Sequence, residues 1–300
     1  MISGFVLLDK QSGISSHRAV RDVSRLFDKI KAGHAGTLDP LATGMLPVLL
    51  GEATRFSDIG LGADKSYEVC IDLSFQTDTL DTEGEVTERF DHMPESAAIT
   101  AAVASFGGAQ EQTPPIYSAI SVDGKRAYQL ARAQQEVALP PRRIVVHEIK
   151  PIEIAPPMLR LSVHCSKGTY IRSLARDLGQ SLGVGGCVTE LRRTGIGKWT
   201  AESMVALEKL ELDGTEAVRP LQQWLDDYPA LELGIDLAKR FLFGQRLPMP
   251  DDTQVDEREY RVLFGELLLG TAHISTGLHG TPVIRPHKTL PSARRMLIGT

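Results

Sequence analysis

Apolar and polar positions alternate cleanly in two stretches of the chain. Lys65-Ser66-Tyr67-Glu68-Val69-Cys70-Ile71-Asp72-Leu73 places Tyr67, Val69, Ile71 and Leu73 on one face, as a half-buried strand does. Leu159 to Cys165 alternates in the same way. The opening residues, Met1 to Lys10, predict a first strand, and Met45 to Leu50 form a short apolar segment. Helical spacing takes over from Ser15 or Ser16, either of which can cap a helix to about Phe27. Val20, Val23 and Phe27 share its apolar face, and Arg18, Arg21 and Arg25 lie largely off it. Glu52 to Ile59 and Ile99 to Phe106 also read as helical. After Cys165, Gly168 supplies a turn, Thr169 a cap, and a helix runs on with Arg172 in its first turn and Gly179 near its C-terminus. Glu259 to Ile274 and Thr281 to Ile284 predict short strands, with Gly265, Gly270, Gly277 and Gly280 as turns. Residues 291–300 are expected to be a disordered tail.

Between these elements lie loops of distinct character. Asp78 to Glu85 is an acidic turn without the spacing of a calcium loop, and predicts a solvated hairpin turn. Thr113 to Ile120 is extended by Pro114 and Pro115, and Asp123-Gly124 signals a hairpin. Tyr117, Tyr128, Lys125, Arg126, Arg142 and Arg143 suit stacking on bases and pairing with phosphates, or else tyrosines packed inward on a structural loop.

Size and charge bound the rest. A chain of 300 residues accommodates one large domain and a small one. No apolar run is long enough to span a bilayer, and no signal peptide is expected. Cys70, Cys165 and Cys187 are too few for a disulfide framework and lack metal-ligand spacing, which favours reduced thiols and the cytoplasm. The net charge of −5 argues only weakly against nucleic acid, because phosphate binding depends on local clusters. Such clusters occur at Arg18 to Lys31, Lys125 to Arg132, Arg142-Arg143 and Arg192 to Lys198.

The candidate chemistry lies in Gly33-His34-Ala35-Gly36-Thr37-Leu38-Asp39-Pro40-Leu41-Ala42-Thr43-Gly44-Met45-Leu46-Pro47. One carboxylate, Asp39, stands among three glycines and a proline, with no second acid close by in the loop. Glycine permits close backbone approach, and the following proline holds Asp39 out of the helical region. On spacing alone this is either a turn joining two elements or an acid presented to a ligand.

This stretch resembles the signature of the TruB family of RNA pseudouridine synthases, with Ala35 where threonine or serine is usual. Thr77-Asp78-Thr79-Leu80-Asp81, Cys165-Ser166-Lys167-Gly168-Thr169-Tyr170-Ile171-Arg172 and Leu191 to Gly197 resemble it too. The resemblance implies an α+β fold: a mixed, mainly antiparallel central sheet with flanking helices, plus a small β-rich PUA-like domain. It implies a catalytic domain over 1–225 with an RNA-gripping insertion at about 110–145, and an RNA-binding domain over 226–300. It assigns catalysis to Asp39, with Tyr67 stacking on the base and Arg172 orienting the acid. His34, Leu191, Tyr170, Lys10, Gly36 and Thr37 are the expected substrate-binding residues. No cofactor and no metal are expected. The implied activity is conversion of uridine to pseudouridine at position 55 in the T-loop of tRNA, by a monomer that needs no protein partner. Alternatives are a guide-RNA-dependent synthase, an RNA-folding chaperone on the same scaffold and, more remotely, an aspartyl phosphotransferase.

Overall fold

The computed structural model describes residues 2–118, 120–122, 124–133, 135, 138–249, 255, 258–277 and 280–299, without the side chains of Lys125, Arg126, Tyr128 and Arg132. A nine-stranded sheet forms its centre. In spatial order its strands are Arg219–Pro220, Gly4–Lys10, Thr43–Leu50, Cys187–Ile196, Lys65–Asp72, Met158–Cys165, Arg142–Ala155 and Gly108–Gln112, with Ala32–His34 also paired to Thr43–Leu50. The pairing of Thr43–Leu50 with Cys187–Ile196 is parallel and the others in this sheet are antiparallel. The expected mixed, mainly antiparallel α+β architecture is therefore present.

Period-two alternation divides the core between the faces of this sheet. Val6, Leu8, Tyr67, Val69 and Ile71 point to one side, where they meet Ala19 and Val23 of the Ser16–Leu26 helix, Ile99 and Val103 of the Ser96–Ser105 helix, and Leu174 and Leu178 of the Ile171–Leu182 helix. Phe5, Leu7, Met45 and Leu49 point to the other. There they share one apolar cluster with Trp224, Phe241, Leu247, Val262, Leu269 and Ile284 of the C-terminal region. That region carries a second, five-stranded sheet: Ala230–Glu232, Glu259–Phe264, Leu267–Thr276, Pro282–Thr289 and Leu247–Pro248.

Several local expectations change. Glu52 to Ile59 is a 3₁₀ segment, Gly51–Phe56, followed by a short helix, Ser57–Gly62. Tyr170, not Thr169, is the N-cap of the Ile171–Leu182 helix, and the Thr169 hydroxyl donates to the Ser166 carbonyl instead. Gly183, in the left-handed region at φ 71°, ends that helix. Gly179 lies inside it, because an added Cβ would stand 2.1 Å from the Gly185 carbonyl oxygen. Gly270 likewise sits within a strand rather than at a turn, against the Lys288 carbonyl. The tail is ordered as a helix, Pro291–Ile298, pinned by Glu52, which accepts from the Ser292 hydroxyl and the Arg295 guanidinium. Ser121–Val122 and Lys125–Arg126 form the expected hairpin, although Asp123 lies outside the described residues.

Candidate active site

The loop that carries Asp39 leaves the sheet after Ala32–His34 and returns as Thr43–Leu50. Two buried cations hold it. Lys10, at the end of the first strand, donates from Nζ to the carbonyls of Gln11, Ile14 and Pro40 at 2.9, 2.8 and 3.1 Å. Burial pulls its ammonium down to about 8, against the attraction of Asp39. Lys10, expected to meet substrate, has its donors on backbone oxygens, the Pro40 carbonyl next to Asp39 among them. Arg193, 1 % exposed, donates to the carbonyls of Met45, Thr37 and Gly36 at 2.7, 3.2 and 2.9 Å. The sequence had placed Arg193 in a surface basic cluster, but the structure makes it an internal strut. It explains one glycine of the loop: Gly44, at φ 94°, has no room for a Cβ 2.3 Å from the Arg193 carbonyl oxygen, whereas Gly36 is called for by its own φ of 129°.

Arg172 meets Asp39 from the opposite side. Its Nε donates to Asp39 Oδ2 at 2.9 Å, while its terminal nitrogens donate to the Thr79 and Tyr117 carbonyls at 2.7 and 3.0 Å. The arginine side chain is 5 % exposed and the aspartate 33 %, so the guanidinium is walled in and the acid remains reachable. Three chain segments far apart in sequence thus converge on one planar cation, a geometry suited to arginine rather than lysine.

The acidic turn after Thr77 is the hairpin that its composition predicts, joining the antiparallel strands Phe75–Thr77 and Val86–Arg89, but it is only partly solvated. Asp81 is buried 3.5 Å from Arg172 Nε and accepts from the Thr79 hydroxyl at 2.6 Å. Glu83 stands near enough that burial, Asp81 and Asp39 together raise its pKa. Asp39 therefore has acidic neighbours that the loop itself did not reveal. The one available signal was the resemblance of Thr77-Asp78-Thr79-Leu80-Asp81 to the family pattern.

Tyr67 is 8 % exposed on the helix side of the sheet, and burial pushes its phenol up, with the Arg193 guanidinium as a hydrogen-bonding neighbour and Asp39 within electrostatic range. Leu191, on the adjacent strand opposite Val69, lines a cavity of about 210 Å³ with Leu41, Thr43, Val69 and Arg192. Tyr170 is locked by Gln112, which accepts from its amide and donates to its carbonyl, and Arg142 stacks 4.6 Å above its ring. His34 Nδ1 is buried without a hydrogen-bond partner, and desolvation and Arg193 lower its pKa. The Thr37 hydroxyl reaches Ser16 Oγ at 3.3 Å. Asp39, Arg172, Tyr67 and the loop residues thus gather at one place, with Leu191 beside them.

The match to known proteins is continuous along the chain. Residues 24–171 match the N-terminal domain of the TruB family of pseudouridylate synthases, and residues 172–227 match the C-terminal domain of tRNA pseudouridylate synthase B. A curated tRNA pseudouridine synthase B from Burkholderia mallei (strain NCTC 10247) is 42 % identical over 286 residues, covering 92 % of this chain and 95 % of that one. The chain belongs to the TruB family. Another tRNA pseudouridine synthase B, from Cupriavidus pinatubonensis, is 42 % identical over 289 residues and 92 % of each chain. Among solved structures, one described as a Cbf5-Nop10-Gar1 complex superposes with a TM-score of 0.75 at 25 % identity, covering 98 % of this TruB-family chain and 86 % of that one. An archaeal box H/ACA sRNP Nop10-Cbf5 complex gives 0.73 at 23 %, covering 98 % and 88 %, a likeness of fold.

Proposed function

We propose that this protein isomerises uridine to pseudouridine in tRNA, at position 55 of the T-loop, with Asp39 as the catalytic group. The observation that carries the reading is the Asp39–Arg172 pair, 2.9 Å apart and open to solvent only on the aspartate side, in a chain 42 % identical to proteins named tRNA pseudouridine synthase B. The reaction breaks the bond from C1′ of the ribose to N1 of uracil, turns the ring and joins C5 to C1′. A proton leaves C5 and another arrives at N1, so atoms and electrons balance without oxidant or hydrolysis.

One carboxylate oxygen is held by Arg172, leaving the other to act on the ribose or the base or to carry the proton. The Tyr67 phenol, its pKa raised by burial, stays neutral and offers its ring to stack on the uracil. The nucleotide must leave its stack to reach Asp39, at a cost of a few kcal/mol. RNA contacts elsewhere offset that cost: the 110–145 segment, with Arg142 and Tyr170 at its root, and a PUA-like C-terminal domain over 226–300 are the surfaces proposed to grip the T-arm. The protein acts in this reading as a cytoplasmic monomer and without a guide RNA.

Asp39→Asn tests the proposal. Tritium release from 5-³H-uridine in an unmodified tRNA transcript, with no other RNA or protein present, should fall at least about a thousandfold from the wild-type rate, the scale of losing an essential nucleophile or base. Filter binding of the same tRNA should stay within about twofold. Modification that survives the substitution, or that requires an added guide RNA, would displace this reading.

A further inference from the structure

Three side chains in the C-terminal sheet form a donor cluster with no part in the site just described. Glu259 and His273 face each other directly across an antiparallel pair. His287 comes from the next strand, where the register slips: Thr271 pairs with Lys288 and Ala272 with Pro286, leaving His287 as the extra residue of a β-bulge. Bulges re-aim side chains, and this one turns the imidazole toward Glu259. His273 Nε2 lies 2.9 Å from Glu259 Oε2, and His287 Nδ1 lies 2.9 and 3.0 Å from the two carboxylate oxygens. One donor atom from each of the three residues falls within 4.8 Å of the other two.

We propose that Glu259, His273 and His287 bind a divalent transition-metal ion of the zinc type. Two imidazoles and a carboxylate are a donor set that zinc uses, with ligand bonds of about 2.0–2.2 Å. Tetrahedral ligands at that radius stand about 3.3 Å apart, so each imidazole nitrogen need part from the carboxylate by only a few tenths of an ångström to admit the ion. His273 has the second contact typical of a metal-binding histidine: its Nδ1 lies 3.4 Å from the Arg258 carbonyl oxygen, which favours the proton on Nδ1 and frees the Nε2 lone pair. His273 and His287 are 37 and 43 % exposed, leaving a path for the ion and a fourth position for water. The neighbouring Arg285 is exposed, so its charge stays in water. Nitrogen donors disfavour magnesium and calcium, which prefer all-oxygen sites. Bound metal would tie together the three central strands of this sheet.

The test uses the full-length, tag-free, chelator-treated protein. Zn²⁺ titrated against a chromophoric competitor should bind one equivalent with a Kd of about 1 μM or tighter. A thousandfold excess of Mg²⁺ should leave that Kd unchanged. His287→Asn and Glu259→Gln should each weaken binding at least about tenfold. Co²⁺ should give the visible absorption of a four-coordinate site in the wild type and not in His287→Asn. Because Cys70, Cys165 and Cys187 are free thiols, undiminished zinc binding by a folded His273→Asn/His287→Asn variant would overturn the proposal, as would no stoichiometric binding by the wild type. If that variant fails to fold, wild-type histidine NMR signals decide: His273 and His287 ring resonances must shift with one equivalent of Zn²⁺, and unmoved signals refute the site.

Discussion

At the scale of single residues, the candidate site is a problem of holding one carboxylate still. Arg193 shows how a buried cation serves that end by binding the carbonyls of the loop. Replacing it with methionine leaves the Gly36, Thr37 and Met45 carbonyls unpaired, at about 1–3 kcal/mol for each buried acceptor that finds no water. The urea midpoint of Arg193→Met should fall accordingly, kcat should drop more than KM rises, and Arg193→Lys should restore part of both. The two buried lysines make a second prediction. Lys10 and Lys65, whose ordinary value is 10.5, are each pulled to about 8 by burial. Above pH 8 the unfolded chain keeps protons that the folded chain has released, so unfolding free energy rises with pH. Cys165 and Cys187 oppose this above pH 9, since burial lifts them from 9.0 to about 11 and only the unfolded chain ionises there. Urea unfolding between pH 8 and 9 should therefore show a rise, and Lys65→Met should diminish it.

At the scale of elements, sequence was a good guide wherever one periodicity dominated. The Lys65–Asp72 strand buries Tyr67, Val69 and Ile71 as its alternation predicts, and Ser15 caps the first helix, accepting from the Arg18 amide. It was a poor guide where partners are remote. Asp81 looks like any turn acid until Arg172, 91 residues later in sequence, comes to lie against it. Arg193 looks like its exposed neighbours until the parallel pairing with Gly44 takes it under the Asp39 loop. Gly179 was misjudged for the same reason: its need for no side chain comes from Gly185, packed against the helix rather than along it. Gly179→Ala, which helix propensity alone would favour, should instead destabilise the protein by about 1–3 kcal/mol through overpacking. A lowered melting temperature by calorimetry checks it, with a gain in stability counting against the packing argument.

At the scale of the whole molecule, the two sheets share a core. Phe5 packs tilted against Trp224, ring centroids 4.9 Å apart, and both belong to the cluster that includes Phe241 and Ile284. A boundary near residue 225 therefore divides sequence more cleanly than it divides packing. Phe241→Ala, in the helix Ile235–Leu242, should cost about 3–5 kcal/mol. Its thermal unfolding should remain one transition, with tryptophan fluorescence and far-ultraviolet circular dichroism moving together. Two separate transitions would show the halves to be independent.

That shared apolar seam reaches Met45 and Leu49, on the strand whose Met45 carbonyl the Arg193 guanidinium grips. Slackening that begins in the C-terminal sheet is thus passed through Met45 and Arg193 to the loop that carries Asp39. Heat inactivation and global melting should then share a midpoint, and a partly unravelled but still active enzyme should not accumulate on the way.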